Sequence, residues 1–189
     1  LGDKIYVTTA VPVGDSSNHS LRCLCLEAGK GEVLWNAEVF LQESSSPAIH
    51  SKNSHASATP IVTSDRLYVH FGHQGTACLD LQGKLLWKNT DHRYKPVHGN
   101  GGSPCLAAGV LFFCCDGEDM QAVIGLNAKT GVTRWKRERQ TKPSRNFSFG
   151  TPLVGSVDPA SSALTPFGPT NNVVPTSAAF VAGRLYAGL

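Results

Sequence analysis

The residues able to do chemistry in this 189-residue chain are seven histidines, six cysteines and a scatter of Ser, Asn and acidic side chains. His70 and His73 are close in sequence, and His50 and His55 flank a Ser-rich loop. Both pairs invite a metal ion. No carboxylate or Cys falls at a matching ligand spacing, so neutral histidines in turns or at the surface are expected instead. Asp116-Gly117-Glu118-Asp119 offers oxygens to calcium but lacks the alternating ligands of a loop site, and reads as a solvated turn between strands. Cys23-Leu24-Cys25 and Cys114-Cys115 are not CxxC pairs, and Cys78 and Cys105 stand alone. They read as small buried apolar residues on strands. The Gly-x-Ser-x-Gly of a serine hydrolase is absent. What remains is a polar set: His55 with Ser57, His98 with Asn100 and Ser103, and Phe147 with Ser148, each shortly ahead of a short apolar run.

The elements that must hold this set come from an internal repeat. Trp35, Trp87 and Trp135 lie 52 and 48 residues apart, and a glycine precedes each by four residues: Gly31, Gly83 and Gly131. Ahead of each glycine an apolar stretch closes on Glu27, Asp80 or Asn127. That pattern predicts a hairpin in which the acid or amide caps the turn backbone and Gly supplies a positive φ, the second strand ending in Trp. The middle turn is one residue shorter and should be tighter. Upstream lies a second hairpin. Thr59-Pro60-Ile61-Val62, Ser103-Pro104-Cys105-Leu106 and Thr151-Pro152-Leu153-Val154 are its first strands, with Pro at a strand start where its missing N–H is tolerated. Asp65-Arg66-Leu67-Tyr68-Val69 and Gly109-Val110-Leu111-Phe112-Phe113 are its second strands, echoed by Asp3-Lys4-Ile5-Tyr6-Val7 and by Gly183-Arg184-Leu185-Tyr186.

Four short strands repeated every ~40 to 50 residues, with no convincing helix, predict an all-β partial β-propeller of four-stranded antiparallel blades. Each Trp is then placed to dock across the seam between blades. Innermost strands line the channel of a propeller, so His55, Ser57, His98, Asn100, Ser103 and Ser148 are expected near one mouth, a ring suited to a polar small ligand or a peptide tip. The alternative is packing: Gly99, Gly101, Gly102 and the small Ser residues would be there because inner strands crowd together, with His and Asn capping turns.

The segment Leu126-Asn127-Ala128-Lys129-Thr130-Gly131-Val132-Thr133-Arg134-Trp135 resembles the docking motif Ala-x-Asp-x-x-Thr-Gly-x-x-x-Trp of pyrroloquinoline-quinone-like (PQQ-like) β-propellers. Lys52-Asn53-Ser54-His55-Ala56-Ser57, His98-Gly99-Asn100-Gly101-Gly102-Ser103-Pro104 and Asn146-Phe147-Ser148-Phe149-Gly150-Thr151-Pro152 are similar to stretches of PQQ-like repeat proteins of planctomycete-type bacteria. A more distant similarity is to the propeller lipoprotein of outer-membrane assembly. The resemblance covers residues 3 to 154, and residues 1–154 are read as propeller repeats, two complete units plus parts of others. Residues 155–189, rich in Ser, Pro, Thr and Asn, read as a diverged or incomplete blade or a tail. It implies a non-catalytic binding or scaffolding module outside the cytoplasm, with no cofactor and with an envelope protein or small polar ligand as partner. The alternative it leaves open is part of a PQQ-dependent dehydrogenase, which would need PQQ and calcium. In quinoprotein alcohol dehydrogenases an adjacent-cysteine disulfide followed by Asp packs on the quinone; here Cys114-Cys115-Asp116 closes an apolar strand, on which neighbouring side chains face opposite ways.

Composition supports a globular chain. Hydrophobic residues are 41% and charged residues 16%, so the net charge of +3 does not amount to a nucleic-acid-binding patch. No apolar run approaches the ~18 residues of a membrane span. Leu1-Gly2-Asp3-Lys4 lacks the charged and apolar regions of a signal peptide, so a cut or processed start is expected, as is a fragment of a larger propeller.

Overall fold

The computed structural model describes residues 2–14, 17–140, 145–157, 164–166, 179–181 and 184–186, with backbone only from residue 155 onward. Most of the stretch read as a diverged tail lies outside the described residues. The first sheet holds β1 (Lys4–Pro12), β2 (His19–Glu27) and β3 (Val33–Gln42). The second holds β4 (Ile61–Val62), β5 (Leu67–His70), β6 (Thr76–Leu79) and β7 (Leu85–Asn89). The third holds β8 (Cys105–Ala107), β9 (Val110–Asp116), β10 (Gln121–Asn127) and β11 (Thr133–Glu138). In these three sheets sequential strands pair antiparallel, the up-and-down order of a propeller blade. The fourth departs: β12 (Leu153–Val157) pairs antiparallel with β13 (Leu164–Pro166) but parallel with β14 (Ala179–Val181), which pairs with β15 (Arg184–Tyr186).

Sheets stack face to face, which explains why the middle strands read as continuous apolar runs rather than alternating ones. In the second sheet Leu67, Val69, Ala77 and Leu79 pack against Leu21, Cys23 and Val39 of the first. Their neighbours Tyr68 and Cys78 face the other way, against Leu111 and Ala128 of the third. Period-two alternation thus buries both sets. Cys23, Cys25, Cys78, Cys114 and Cys115 are buried free thiols, and Cys105 is half-buried.

The three turns follow the expected chemistry. Glu27 accepts the N–H groups of Gly29 and Lys30, Asp80 those of Gln82 and Lys84, and Asn127 those of Lys129 and Thr130. Gly31, Gly83 and Gly131 sit at φ +72°, +86° and +75°. The tryptophans do not end their strands as the pattern suggests. Each is the third residue of its strand, which runs on to Gln42, Asn89 or Glu138. The reason is a β-bulge repeated at one place: Trp35 pairs Cys25 while Val33 pairs Leu26, and the same step leaves Leu86 and Arg134 as extra residues before Trp87 and Trp135. A bulge adds local twist and re-aims the next side chain. Here that side chain is the indole.

Candidate functional site

Inner strands are laced at the Thr/Ser-Pro positions. The Thr59 N–H donates to Ser103 Oγ (2.9 Å), and the Ser103 N–H donates to Thr151 Oγ1 (3.1 Å). A side chain added at Gly102 would stand 2.9 Å from the Gly150 carbonyl oxygen, so the segments entering β8 and β12 run in direct contact. This crowding brings three loops, at 50–53, 98–101 and 147–149, to one end of the inner strands.

Between them lies a cavity of about 410 Å³ lined by His50, Lys52, Asn53, His98, Gly101, Phe147 and Phe149. Its wall is a run of rings: His50 meets His98 edge-on at 5.4 Å, His98 meets Phe147 edge-on at 4.6 Å, and Phe147 lies 5.7 Å from Phe149. The backbone under it is fixed by Asn53, whose Nδ2 donates to the carbonyls of His98 (2.8 Å) and Asn100 (3.2 Å), while the His50 N–H donates to the His98 carbonyl (3.2 Å). Glycine is required at two points. Gly99 holds φ +88° with Ile49 and Asn53 within 3 Å of where a Cβ would stand, and at Gly101 a Cβ would stand 2.7 Å from the Phe149 ring.

Of the residues expected at the mouth, His98 lines the cavity directly, and so does Phe147. Ser57 lies behind it, donating its hydroxyl to Asn53 Oδ1 (2.7 Å). The Asn100 side chain packs on Gly72 and accepts from the Tyr94 hydroxyl (3.3 Å), while Ser103 is engaged in the strand lacing. His55 bonds Gln42 (2.9 Å) and stacks on His19 at 4.2 Å; burial first, then the His19 charge, lowers its pKa. Ser148 Oγ accepts the Gly150 N–H. His50, Lys52, Asn53 and Phe149 were missing from the expected set. The one sequence cue to them is that each lies within five residues of a residue that was in it.

The remaining chemical groups are placed as follows. His70 is buried on β5, bonded to Thr76 Oγ1 (2.9 Å) and 4.2 Å from the Phe113 ring; His73 is buried in the short 3-10 turn Gly72–Gln74. His73 thus sits in a turn, as expected of such histidines, but is buried there, whereas His70 is on a strand and neither in a turn nor at the surface. Among the described residues no group of three His, Cys, Asp or Glu is arranged to hold a metal ion. Asp116 is not part of a solvated turn: its side chain is 2% exposed and pairs with Arg139 at 3.0 Å. Burial raises its pKa, opposed by Arg139 and Ser148. Cys115 enters the core of the third sheet while Cys114, whose pKa burial pushes up to about 11, lies beside Arg139 at 3.1 Å. No helix among the described residues is long and apolar enough to cross a membrane.

At the outer edge, each indole crosses to the next sheet. Trp35 covers Gly83 and donates its Nε1–H to the Leu81 carbonyl (3.1 Å); Trp87 covers Gly131 and donates to the Ala128 carbonyl (3.1 Å). Trp135 lies over Gly125, its own cross-strand partner, where the first two sheets carry Cys25 and Cys78.

A family model described as outer membrane protein assembly factor BamB matches residues 24–171. No curated protein matches the chain by sequence. Among solved structures, a europium-containing methanol dehydrogenase superposes with a TM-score of 0.55 at 16% identity, over 75% of this chain and 24% of that one. BamB from Moraxella catarrhalis gives a TM-score of 0.43 at 18% identity, over 70% of this chain and 38% of that one. The quinohemoprotein alcohol dehydrogenase from Comamonas testosteroni gives 0.48 at 16% identity, over 86% and 24%. This chain thus spans between 24% and 38% of the length of these structures, and at 16% identity the likeness to the methanol dehydrogenase is one of fold.

Proposed function

The chain belongs to the family of PQQ-like propeller repeats described as outer membrane protein assembly factor BamB, and from that premise we propose that it is a non-catalytic binding module that engages a protein loop or a small polar ligand at its channel mouth. The observation carrying this reading is the cavity between His98, His50 and the Phe147 and Phe149 rings. It combines flat apolar walls with an ammonium, two imidazoles and an amide, the mixture that seats a peptide tip or a polar molecule. Among the described residues the lining includes no carboxylate, hydroxyl or thiol. An exported, envelope setting with a protein partner belongs to the same proposal.

The lining does not fit a quinone held on calcium. Calcium takes six to eight oxygens, mostly carboxylate and carbonyl. Among the described residues Asn53 supplies the only side-chain oxygen on the wall, and its amide already serves the neighbouring backbone and Ser57. Cys114 and Cys115, on opposite faces of β9, offer no flat platform.

A photo-crosslinking amino acid at Lys52 in cells of the source tests the reading. Adducts to an envelope protein that vanish in the Phe149→Ala background are expected. An adduct-free protein that instead reduces an artificial electron acceptor when given quinone, calcium and an alcohol would overturn it.

A further inference from the structure

We propose that the seam between the second and third sheets, at the end of the strands away from the channel mouth, binds an acidic polypeptide segment whose carboxylates are taken by Arg66, Lys129 and Arg134. A cavity of about 500 Å³ opens there, and both sheets contribute to it. Thr63, Arg66 and Tyr68 come from the β4–β5 hairpin, and Asn127, Lys129 and Arg134 from the β10–β11 hairpin. The inner strands run from the 98–101 loop toward these turns, so the two cavities lie at opposite ends of the sheets. Arg66 is fixed in place. Its Nη1 donates to the Lys129 carbonyl across the seam (3.2 Å), and its side chain is only 23% exposed. Asp65 stands 3.4 Å from its Nε, but that carboxylate is 70% exposed and offsets little of the charge.

The repeat supplies an internal control. Tyr6 and Tyr68 each pair with the cysteine opposite a Trp, Cys25 or Cys78, so Asp3 and Lys4 hold the places of Asp65 and Arg66. Across that first seam Asp80, Leu86 and, in the shorter turn, Gln82 stand where the second seam has Asn127, Arg134 and Lys129. The first seam therefore sets one lysine against two aspartates, and the second sets three cations against one aspartate. Turn chemistry does not demand the change. Asn127 caps its turn through an amide oxygen as Asp80 does through a carboxylate, so the cap needs an oxygen and not a charge. Arg134 is the extra residue of the bulge, where the first two sheets carry Leu34 and Leu86. In a chain with 16% charged residues, three cations gathered on one cavity mark a site for negative charge.

The backbone decides between a phosphate and a peptide. Phosphates are cradled by successive free backbone N–H groups in a turn. At this turn those groups are spent: the Ala128 N–H on the Gly109 carbonyl, the Lys129 and Thr130 N–H groups on the Asn127 side chain, and the Gly131 N–H on the Asn127 carbonyl. What the cavity offers is side-chain cations, and they come from three separate places: the residue before β5, a turn and a strand. Single charges spread in this way match spaced carboxylates along an extended segment. Gly109 and Ala128, small residues on the same lining, leave room for its backbone.

The test is fluorescence anisotropy of a labelled peptide, Gly-Glu-Asp-Gly-Glu-Asp-Gly, titrated with the chain, against the same peptide with Gln and Asn in place of its acids. Saturable binding of the acidic peptide is expected, weakening as salt rises, and none of the neutral one. Asn127→Asp, Lys129→Gln and Arg134→Leu together give the second seam the residue types that the first already carries, and should weaken binding roughly 10- to 100-fold. Arg134→Leu alone, a change to the residue found at the same bulge in both earlier sheets, should weaken it roughly 2- to 5-fold and serves should the triple variant not fold. Phe149→Ala, at the channel mouth, should leave this binding unchanged, so that failure here and failure of the channel-mouth reading are told apart. No binding of the acidic peptide, equal binding of the neutral one, or affinity that survives the triple variant would overturn the proposal. So would displacement by inorganic phosphate beyond that by sodium chloride at equal ionic strength, which would give the site to a phosphate.

Discussion

The indole of Trp87 lies across the α-carbon of Gly131 in the next sheet, with its N–H on the Ala128 carbonyl at 3.1 Å. Glycine here answers two demands at once, a left-handed backbone and a flat surface for the ring. Gly131→Ala should cost about 2–5 kcal/mol, the sum of the left-handed penalty and overpacking against Trp87. Gly31→Ala, with the same backbone but no ring above it, should cost only about 1–2 kcal/mol. Urea midpoints of the two variants measure the difference, and equal losses would contradict the docking role.

Burial holds the buried imidazoles far below their ordinary pKa, His70 at about 3 and His73 at about 4. In the unfolded chain both take up protons near pH 6.5, while the folded chain resists them until about pH 3–4. Stability is therefore full above pH ~6.5 and is lost as pH falls toward 4. His55 and His92, also lowered by burial, act in the same direction. Asp116, raised by burial, has the opposite sign: its unfolded form releases its proton more readily, so acidification through its native pKa favours the fold. Urea midpoints at pH 7.5 and 4.5 should differ, and His70→Gln, which keeps a donor for Thr76, should shrink the difference.

Arg139 and Asp116 form an ion pair at 3.0 Å with the carboxylate almost fully enclosed. Arg139→Met strands that carboxylate and should destabilise the fold by about 3–5 kcal/mol. Adding Asp116→Asn should recover much of the loss, which a double-mutant cycle in urea reads directly.

Phe149 is 44% exposed and forms one wall of the cavity. Phe149→Ala should change stability by about 1 kcal/mol or less, because little of it is enclosed. It should remove crosslinking from position 52. Loss of crosslinking together with unfolding would point to a structural role for the ring.

The repeat was legible because its strongest constraints are local: Gly31, Gly83 and Gly131 must take positive φ, Glu27, Asp80 and Asn127 must cap the turn amides, and Pro60, Pro104 and Pro152 stand just ahead of β4, β8 and β12. The position of each Trp within its strand was misread, since the bulge fixes no residue type: the extra position holds Leu34 and Leu86 but Arg134. The cavity was half legible. His98 and Phe147 were placed by their distance from the inner strands. His50 and Lys52 come from a loop that reaches the same place only because the 98–101 backbone is held by Asn53, a contact spanning 45 residues. Ser103 was read as a ligand group or a small residue admitted by crowding, and Thr151 as part of a first strand, yet each takes a neighbour's amide N–H.

That lacing has a direction. Along the inner strands Thr59 gives to Ser103 and Ser103 gives to Thr151; along the outer edge Trp35 gives to the turn of Leu81 and Trp87 to that of Ala128. Every donor belongs to the earlier sheet and every acceptor to the later one. A chain emerging from the ribosome thus completes each sheet with these donors on water, and synthesis of the next unit supplies their protein acceptors. Coupling between neighbours makes such arrays stable as a sum of interfaces. In this one the donors always stand on the earlier side, so cutting away the last sheet bares N–H groups to water, whereas cutting away the first bares carbonyl and hydroxyl oxygens.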